Sequence, residues 1–354
     1  MDRCARLLAE LKRVGKDAAL VHRPENMRYL TGFTGEGCVF LCEGECAIIT
    51  DFRYVEQAGR QAPDMHVVST DAAHRESARV LELTDAHAVR TLAVERDYLS
   101  YDQHEALRAA LPFVKLAGLD SLPEALRLIK DAGEIESIRK SAAIASRAFE
   151  NILGRIRPGM TEKQVQIMLD YEMLSLGSEG NAFDTIAAAG VNGSLPHAIP
   201  SDYALQKGDL LTLDFGAKVD GYCSDMTRTV AIGKLAPALR EIYELVLAAH
   251  TASLEAVRPG AKCAELDKIA RDMIDARHPG AFGHSLGHGV GLFIHEQPRV
   301  ASGSQTVLQP GYVITIEPGV YIPGLGGCRI EDMAILTSDG YIDPVTAPKQ
   351  LIEL

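Results

Sequence analysis

The residues with the clearest chemical potential lie in the second half of the chain. Residues 284–298 read HSLGHGVGLFIHEQP, so His284, His288 and His295 fall within twelve residues among glycines and apolar side chains. Imidazole ligates first-row metals and exchanges protons near neutral pH. Glycine lets a backbone approach a ligand closely. His295-Glu296 is not followed by a second histidine at helical spacing, which excludes an HExxH zinc helix. A further histidine, His197, follows the loop-like GVNGSLP.

Four acids sit in apolar surroundings. Asp214 lies inside LLTLDFGA, and Asp220-Gly221 downstream has the composition of a type I′ hairpin turn. A two-residue loop there pairs Val219 with Tyr222 and sets Asp214 opposite Thr227 and Gly216 opposite Asp225. Asp214 and Asp225 then become diagonal neighbours on one face. Two carboxylates so placed repel unless one is protonated or a cation lies between them. From this segment alone, paired structural aspartates and metal ligands remain equal alternatives. Glu317 ends the apolar run ITI before Pro-Gly, and GGCRIEDMAIL reads as a second apolar strand carrying Glu331, with Arg329 on the same face. A surface Arg–Glu pair is the plainer reading, but Ile330, Met333 and Ile335 disfavour full solvation. Two divalent ions would bring about +4 against these four carboxylates. An oxygen-rich set with one imidazole favours Mn²⁺, with Co²⁺, Fe²⁺ or Zn²⁺ as alternatives.

The elements that must position these side chains follow from periodicity and turn chemistry. Residues 2–14 form an amphipathic helix with Leu7, Leu8, Leu11 and Val14 on its stripe. Short apolar runs AALVH, GCVFL, CAIITD and TLAVE read as strands, and 74–83 and 101–111 as helices. That makes the first ~120 residues α/β. After LDSLPEAL a long helix spans Ala132 to Leu153. Thr161 caps the next helix, with Gln164 completing a capping box, and residues 238–257 and 263–277 are helical. Helices set against antiparallel strands make the whole α+β, divided into residues 1–122 and 123–354.

Composition narrows the function. With a formal net charge of -12 and no basic stripe, nucleic acid is excluded as a partner. No apolar run approaches the ~18 residues of a membrane span, and the charged N-terminus has no secretory apolar segment. A cytoplasmic location is expected. The seven cysteines form no disulfide framework. Cys38, Cys42 and Cys46, four apart, match no iron–sulfur or zinc spacing and read as packed residues of a hairpin.

Taken in order, these blocks resemble the M24 metallopeptidases of the creatinase/aminopeptidase superfamily, and within them the Xaa-Pro aminopeptidases and Xaa-Pro dipeptidases. HSLGHGVGLFIHEQP, LLTLDFGAKVDGYCSDMTRTV, ITIEPGVYIPGLGGCRIED and NGSLPHAIPSD carry the resemblance, and NMRYLTGFTGEG and ITDFRY are similar to the creatinase-type N-terminal domain. The resemblance implies an N-terminal creatinase-like domain before a pita-bread catalytic domain. It implies two divalent ions held by Asp214, Asp225, His288, Glu317 and Glu331. His295 is implied as the substrate-binding histidine, Glu317 also as the proton carrier, His197 and His284 as pocket histidines, and Arg329 as the arginine beside the last ligand. The activity implied is hydrolysis of the Xaa-Pro bond in peptides with proline second, by an aminopeptidase or alternatively a dipeptidase, in a homodimer. A metal-free creatinase-like hydrolase and a non-catalytic binding protein are disfavoured because all five ligand types are present. A methionyl aminopeptidase is disfavoured by the first domain. Cys328 is expected close to the metals.

Overall fold

The computed structural model describes residues 3–354; residue 2 of the expected first helix lies outside the described residues. The chain divides into two compact units, Met1–Arg127 and Leu128–Leu354.

In the first unit, α1 (Arg3–Arg13) buries Leu7 and Leu11. Val14, expected on the same stripe, is exposed because the helix ends at Arg13 before the left-handed Gly15. Then follow β1 (Ala18–Val21), α2 (Pro24–Thr31), β2 (Cys38–Cys42), β3 (Glu45–Asp51), α3 (Val55–Gln61), β4 (His66–Thr70), α4 (Glu76–Ala86), β5 (Thr91–Val94), α5 (Tyr101–Ala110), β6 (Lys115–Gly118) and α6 (Leu122–Arg127). The strands form one sheet ordered β4-β3-β2-β1-β5-β6, in which β2 alone runs against the others. The junction lies five residues beyond the expected one. The physical reason is that α6 stays with the first unit: Arg127 is buried and donates to Asn26 at 2.7 Å, and Asn26 donates to Glu124 at 2.6 Å.

The second unit opens with α7 (Ala132–Leu153), capped by a reciprocal Asp131–Glu134 box, and α8 (Glu162–Ser175), capped by the expected Thr161–Gln164 box. Next come β7 (Ile186–Ala189), a 3₁₀ turn at Gly190–Ser194, β8 (Leu210–Phe215), β9 (Lys218–Val219), β10 (Tyr222–Cys223) and β11 (Met226–Ala231). Asp220 and Gly221 both have positive φ, 49° and 75°, as a type I′ turn requires. Val219 therefore pairs with Tyr222, and Asp214 with Thr227. Helices α9 (Pro237–Glu255) and α10 (Cys263–Asp275) precede β12 (Gly287–Gly289), β13 (Glu296–Val300), β14 (Val313–Ile316), β15 (Gly319–Ile322), β16 (Gly326–Arg329), β17 (Asp332–Leu336) and β18 (Tyr341–Ile342). These strands make antiparallel sheets β11-β8-β7 and β13-β12-β14-β17-β18, with β15–β16 a separate hairpin. Ile242, Val246, Leu266 and Ile274 of the two helices pack with Ile314, Ile316 and Ile330 in one apolar core. Among the described residues, no helix is long and apolar enough to cross a membrane.

GGCRIEDMAIL departs from expectation. It is not one strand but two, broken at Ile330-Glu331: β16 pairs with β15, whereas β17 pairs with β14 and β18. At the break the Glu331 amide donates to the Thr227 carbonyl of β11 at 3.1 Å. Arg228, 1% exposed, fastens the same crossing by donating to the carbonyls of Thr227 and Glu331 and to Asp332 Oδ1 at 2.6 Å. Asp332 also lies 3.1 Å from His250 Nε2 and 2.8 Å from Lys349 Nζ. Burial alone would raise its pKa, but Arg228, His250 and Lys349 hold the carboxyl well below its ordinary range. Removing one partner of a buried ion pair leaves the other charge uncompensated. Asp332→Ala should therefore cost about 3–5 kcal/mol, read as a lowered urea midpoint with an unchanged slope; a change within 0.5 kcal/mol, about what a surface substitution gives, would contradict this.

Candidate metal centre

Asp214 enters the site from the end of β8, where its ladder partner is Thr227. Asp225 immediately precedes β11 and is only 4% exposed. His288 occupies the middle of β12, between Gly287 and Gly289. A Cβ at Gly287 would collide with the Thr315 carbonyl, and one at Gly289 with the Gln297 carbonyl. Only glycine on either side lets this three-residue strand lie so close to its neighbours. Glu317 follows the last residue of β14, and Glu331 stands at the break between β16 and β17.

These positions converge. One oxygen each of Asp225 and Glu331 and a ring nitrogen of His288 all lie within 4.8 Å of one another. His288 Nε2 is 3.5 Å from both Asp225 Oδ2 and Glu317 Oε1. Thr227 Oγ1 donates to Glu331 Oε2 at 2.7 Å, and Thr315 Oγ1 to Glu317 Oε1 at 3.4 Å. Arg329 Nη2 donates to Asp214 Oδ2 at 2.6 Å, while Asp214 Oδ1 is buried with no hydrogen-bond partner among the described residues. Arg329 is thus no surface partner of Glu331; it is buried and bonded to Asp214.

The electrostatics describe acids too crowded to ionise together. Burial raises the Asp225 pKa well above its usual range, and Asp214 and Glu317 add to the rise. Burial likewise pushes Glu317 up to about 8, and raises Glu331 strongly with Asp225 adding to the shift. Burial lowers His288 to about 4, so its imidazole is neutral. Its Nδ1 lies 3.1 Å from the Gly289 carbonyl, which can only accept. The proton is therefore on Nδ1, and the Nε2 lone pair faces the carboxylates. A lone pair aimed at anions is repulsive; it becomes favourable with a cation in between. Together with the unpartnered Asp214 Oδ1, this tautomer fits a metal site with correctly oriented histidine.

Behind the acids runs a directed hydrogen-bond chain. Arg329 Nη1 donates to Tyr321 Oη at 2.7 Å, Tyr321 Oη lies 2.9 Å from His284 Nε2, and His284 Nδ1 lies 2.9 Å from the Ser285 carbonyl. Burial lowers His284 to about 4, so this ring too is neutral, with its proton on Nδ1. The Tyr321 hydroxyl must then donate to His284 Nε2. His284 and Arg329 hence support the cluster from behind. His295 stacks edge-on against His288, ring centroids 4.6 Å apart, and is exposed. Burial lowers its pKa as well. His197 is exposed and lines the cavity over the acids. Cys328, expected near this cluster, instead points into the apolar core beneath α9, because alternate residues of β16 face opposite sides and Arg329 takes the site side.

Tyr321 was not anticipated. Its signal is the β15–β16 register, which pairs Gly319 with Arg329 and Tyr321 with Gly327, so Tyr321 shares a face with Arg329. Lys130 was missed as well. Its Nζ is 3.2 Å from Glu296 Oε2, with both side chains buried, and Glu296 Oε1 accepts from the Phe293 amide. This pins the loop that carries His295. The two lysine–glutamate partners are 166 residues apart in sequence, so no local pattern links them.

The cluster forms the floor of a cavity of about 840 Å³, whose walls include Phe183, Ile199, Ile294 and Arg299. A space of this size, with apolar walls and a few convergent polar groups, suits a small organic ligand.

Residues 136–338 match the family described as metallopeptidase family M24, and residues 3–129 the creatinase/prolidase N-terminal domain. The chain is 37% identical over 344 residues to an Xaa-Pro dipeptidase of Pyrococcus furiosus, covering 96% of each chain. Its structure is similar to that of the Xaa-Pro dipeptidase from Bacillus anthracis, with TM-score 0.96, 40% identity, and coverage of 100% and 99%. It is also similar to the X-Pro aminopeptidase from Thermotoga maritima, with TM-score 0.91, 34% identity, and coverage of 98% and 100%.

If the acids are held apart by cations, exhaustive chelation should lower the thermal midpoint and Mn²⁺ or Co²⁺ should restore it. At free metal 100-fold above the dissociation constant the restored stability is about 2.7 kcal/mol. Glu331→Gln should blunt that response while leaving the metal-free protein no less stable than the metal-free wild type. Melting curves insensitive to both chelator and metal would refute the assignment.

Proposed function

Because the chain belongs to metallopeptidase family M24, we propose that it is a dinuclear metallopeptidase that hydrolyses Xaa-Pro dipeptides. The observation that carries the choice of dipeptides is Arg299. It lines the cavity over the acid cluster, is exposed, and makes no side-chain ion pair among the described residues. In a dipeptide the proline carries a free carboxylate, which this guanidinium suits. The Xaa-Pro dipeptidase named among the relatives supports the same reading. It displaces the aminopeptidase expected from the sequence to second place. That second reading retains one support, the similar X-Pro aminopeptidase of Thermotoga maritima.

Asp214, Asp225, His288, Glu317 and Glu331 would hold the ion pair. When bound, the ions supply water activation and carbonyl polarisation. Everything else falls to side chains. The scissile nitrogen belongs to a tertiary amide without N–H, so it must be recognised by shape, and Phe183, Ile199 and Ile294 offer apolar walls for the ring. His295, accessible beside His288, donates a hydrogen bond to the oxygen that gains charge as the carbonyl becomes tetrahedral. Glu317, on the cavity floor 3.5 Å from His288 Nε2, accepts the proton of the attacking water as a carboxylate and passes it to the leaving proline nitrogen. Neutral His284, fixed by Tyr321, and His197 on the wall shape the substrate end. The oxygen-rich ligand set favours Mn²⁺. A homodimer completes the reading implied by the family resemblance.

Four measurements test it. Rates on an Xaa-Pro dipeptide should exceed those on the matching Xaa-Pro-Xaa tripeptide. Arg299→Met should raise KM for the dipeptide about 10–100-fold, the worth of one charged hydrogen bond, with little change for a tripeptide; equal effects on both would favour the aminopeptidase. His295→Ala should lower kcat by roughly 10²–10³, as when one oxyanion donor is lost, without loss of bound metal. Glu317→Gln should abolish turnover in a folded protein.

A further inference from the structure

The first unit contains a second convergence of ligand-type side chains, remote in sequence from those above. His22 follows the last residue of β1, Cys38 opens β2, and Glu76 is the first residue of α4. The β1–β2 register pairs Val21 with Val39. One step further along the ladder sets His22 opposite Cys38, on the same face of the sheet as Leu20 and Phe40. Helix α4 covers that face with Val80 and Leu83 and delivers Glu76 to the strand ends. One atom each from His22, Cys38 and Glu76 lies within 4.8 Å of the others. His22 is 6% exposed and Cys38 is fully buried. His22 Nε2 is 2.8 Å from Glu76 Oε1, and Nδ1 is buried with no hydrogen-bond partner among the described residues.

Three features favour a bound cation over a simple buried polar cluster. First, the residue types are an imidazole, a thiol and a carboxylate, the donor set of zinc with three protein ligands and an open fourth position. Second, thiolate and carboxylate together carry two negative charges, which a divalent ion cancels in a site where an isolated charge is costly. Third, the place is right. β1, β3, β4 and β5 run parallel, and the cluster sits at their carboxyl ends, where open α/β sheets bind ligands. Glu76 also lines a cavity of about 320 Å³ with Gly37, Thr50 and Thr70, which gives the fourth position access to water. Zinc bonds of ~2.0–2.3 Å to nitrogen, oxygen and sulfur put tetrahedral ligand atoms about 3.3–3.7 Å apart. The His22–Glu76 contact must open by about half an ångström to reach that spacing, and the half-buried Glu76 at the start of its helix is free to pivot. The four-residue spacing of Cys38, Cys42 and Cys46 plays no part. Cys42 pairs with Glu45 at the hairpin end, and Cys46 faces the other side, its Sγ 3.1 Å from that of Cys4.

We propose that His22, Cys38 and Glu76 form a zinc-type metal site in the N-terminal unit, independent of the catalytic centre, joining β1, β2 and α4. The full-length protein, titrated with Co²⁺ alone, tests this. The catalytic cluster contains no thiolate, so a near-ultraviolet thiolate-to-Co²⁺ charge-transfer band reports on a cysteine site only. The wild type should bind one equivalent beyond the catalytic ions and develop the band. Cys38→Ser should lose both the band and that equivalent while keeping peptidase activity, and Cys46→Ser should keep both. Absence of the band in the wild type at saturating Co²⁺ would overturn the proposal, and so would a band that survives Cys38→Ser.

Discussion

Four carboxylates share the floor of one cavity with a histidine that is neutral and turned lone pair first toward them. Asp225 and Glu331 are 4% and 1% exposed, so water does little to separate their charges. The chain carries a net charge of -12, and among the described residues no cationic side chain besides Arg329 is paired with these acids. Arg329 serves Asp214 directly, and Lys130 serves Glu296 beside the cluster. The remaining carboxylates are relieved either by taking up protons or by cations placed among them. The rest of the second unit is arranged around that demand: a type I′ turn fixes the two aspartates on one face, two glycines clear the way for His288, and strand ends present the two glutamates.

Behind this floor, the chain from Arg329 through Tyr321 to His284 has a defined hydrogen-bond direction. Arg329 can only donate, the Ser285 and Gly289 carbonyls can only accept, and these ends set the proton positions on Tyr321, His284 and His288. His288 therefore presents its lone pair to the acids, while that of His284 accepts from Tyr321. Preorganisation of this kind matters because donors and acceptors already aligned need not reorganise when charge develops. The Arg228–Asp332–His250–Lys349 cluster has a different task. It lies under the crossing from β16 to β17 and holds Glu331 where Thr227 can reach it.

The N-terminal unit follows a different logic. Its sheet is mostly parallel and buried on the α4 side, and polar groups gather at the carboxyl ends of its strands. Glu95 at the end of β5 accepts from the backbone amides of His22 and Arg23 and from Asn26, which fixes the chain as it leaves β1. That anchoring fixes the backbone of His22, whose ring meets Glu76.

Much of this was legible in the chain itself. The Asp220-Gly221 turn set the register that pairs Asp214 with Thr227, because a two-residue loop admits one ladder. The Thr161–Gln164 capping box and the apolar periods of α7, α9 and α10 marked the helices, while the Asp131–Glu134 box emerged only in the structure. The acids and histidines stood out because charged side chains are rare in apolar strands. Local rules could not see contacts made across the fold. The single strand expected over GGCRIEDMAIL divides because its two halves find partners in different sheets. Cys328 turns away from the site because β16 gives that side to Arg329. Tyr321 gains its role from Arg329 and His284, and Lys130 from Glu296 far along the chain. Cys38 leaves its evenly spaced cysteine neighbours for His22 and Glu76, since strand register and helix packing decide which side chains meet. Residue type and short-range turn chemistry are written in the sequence; which distant groups share one low-dielectric space is settled only when the sheets close over them.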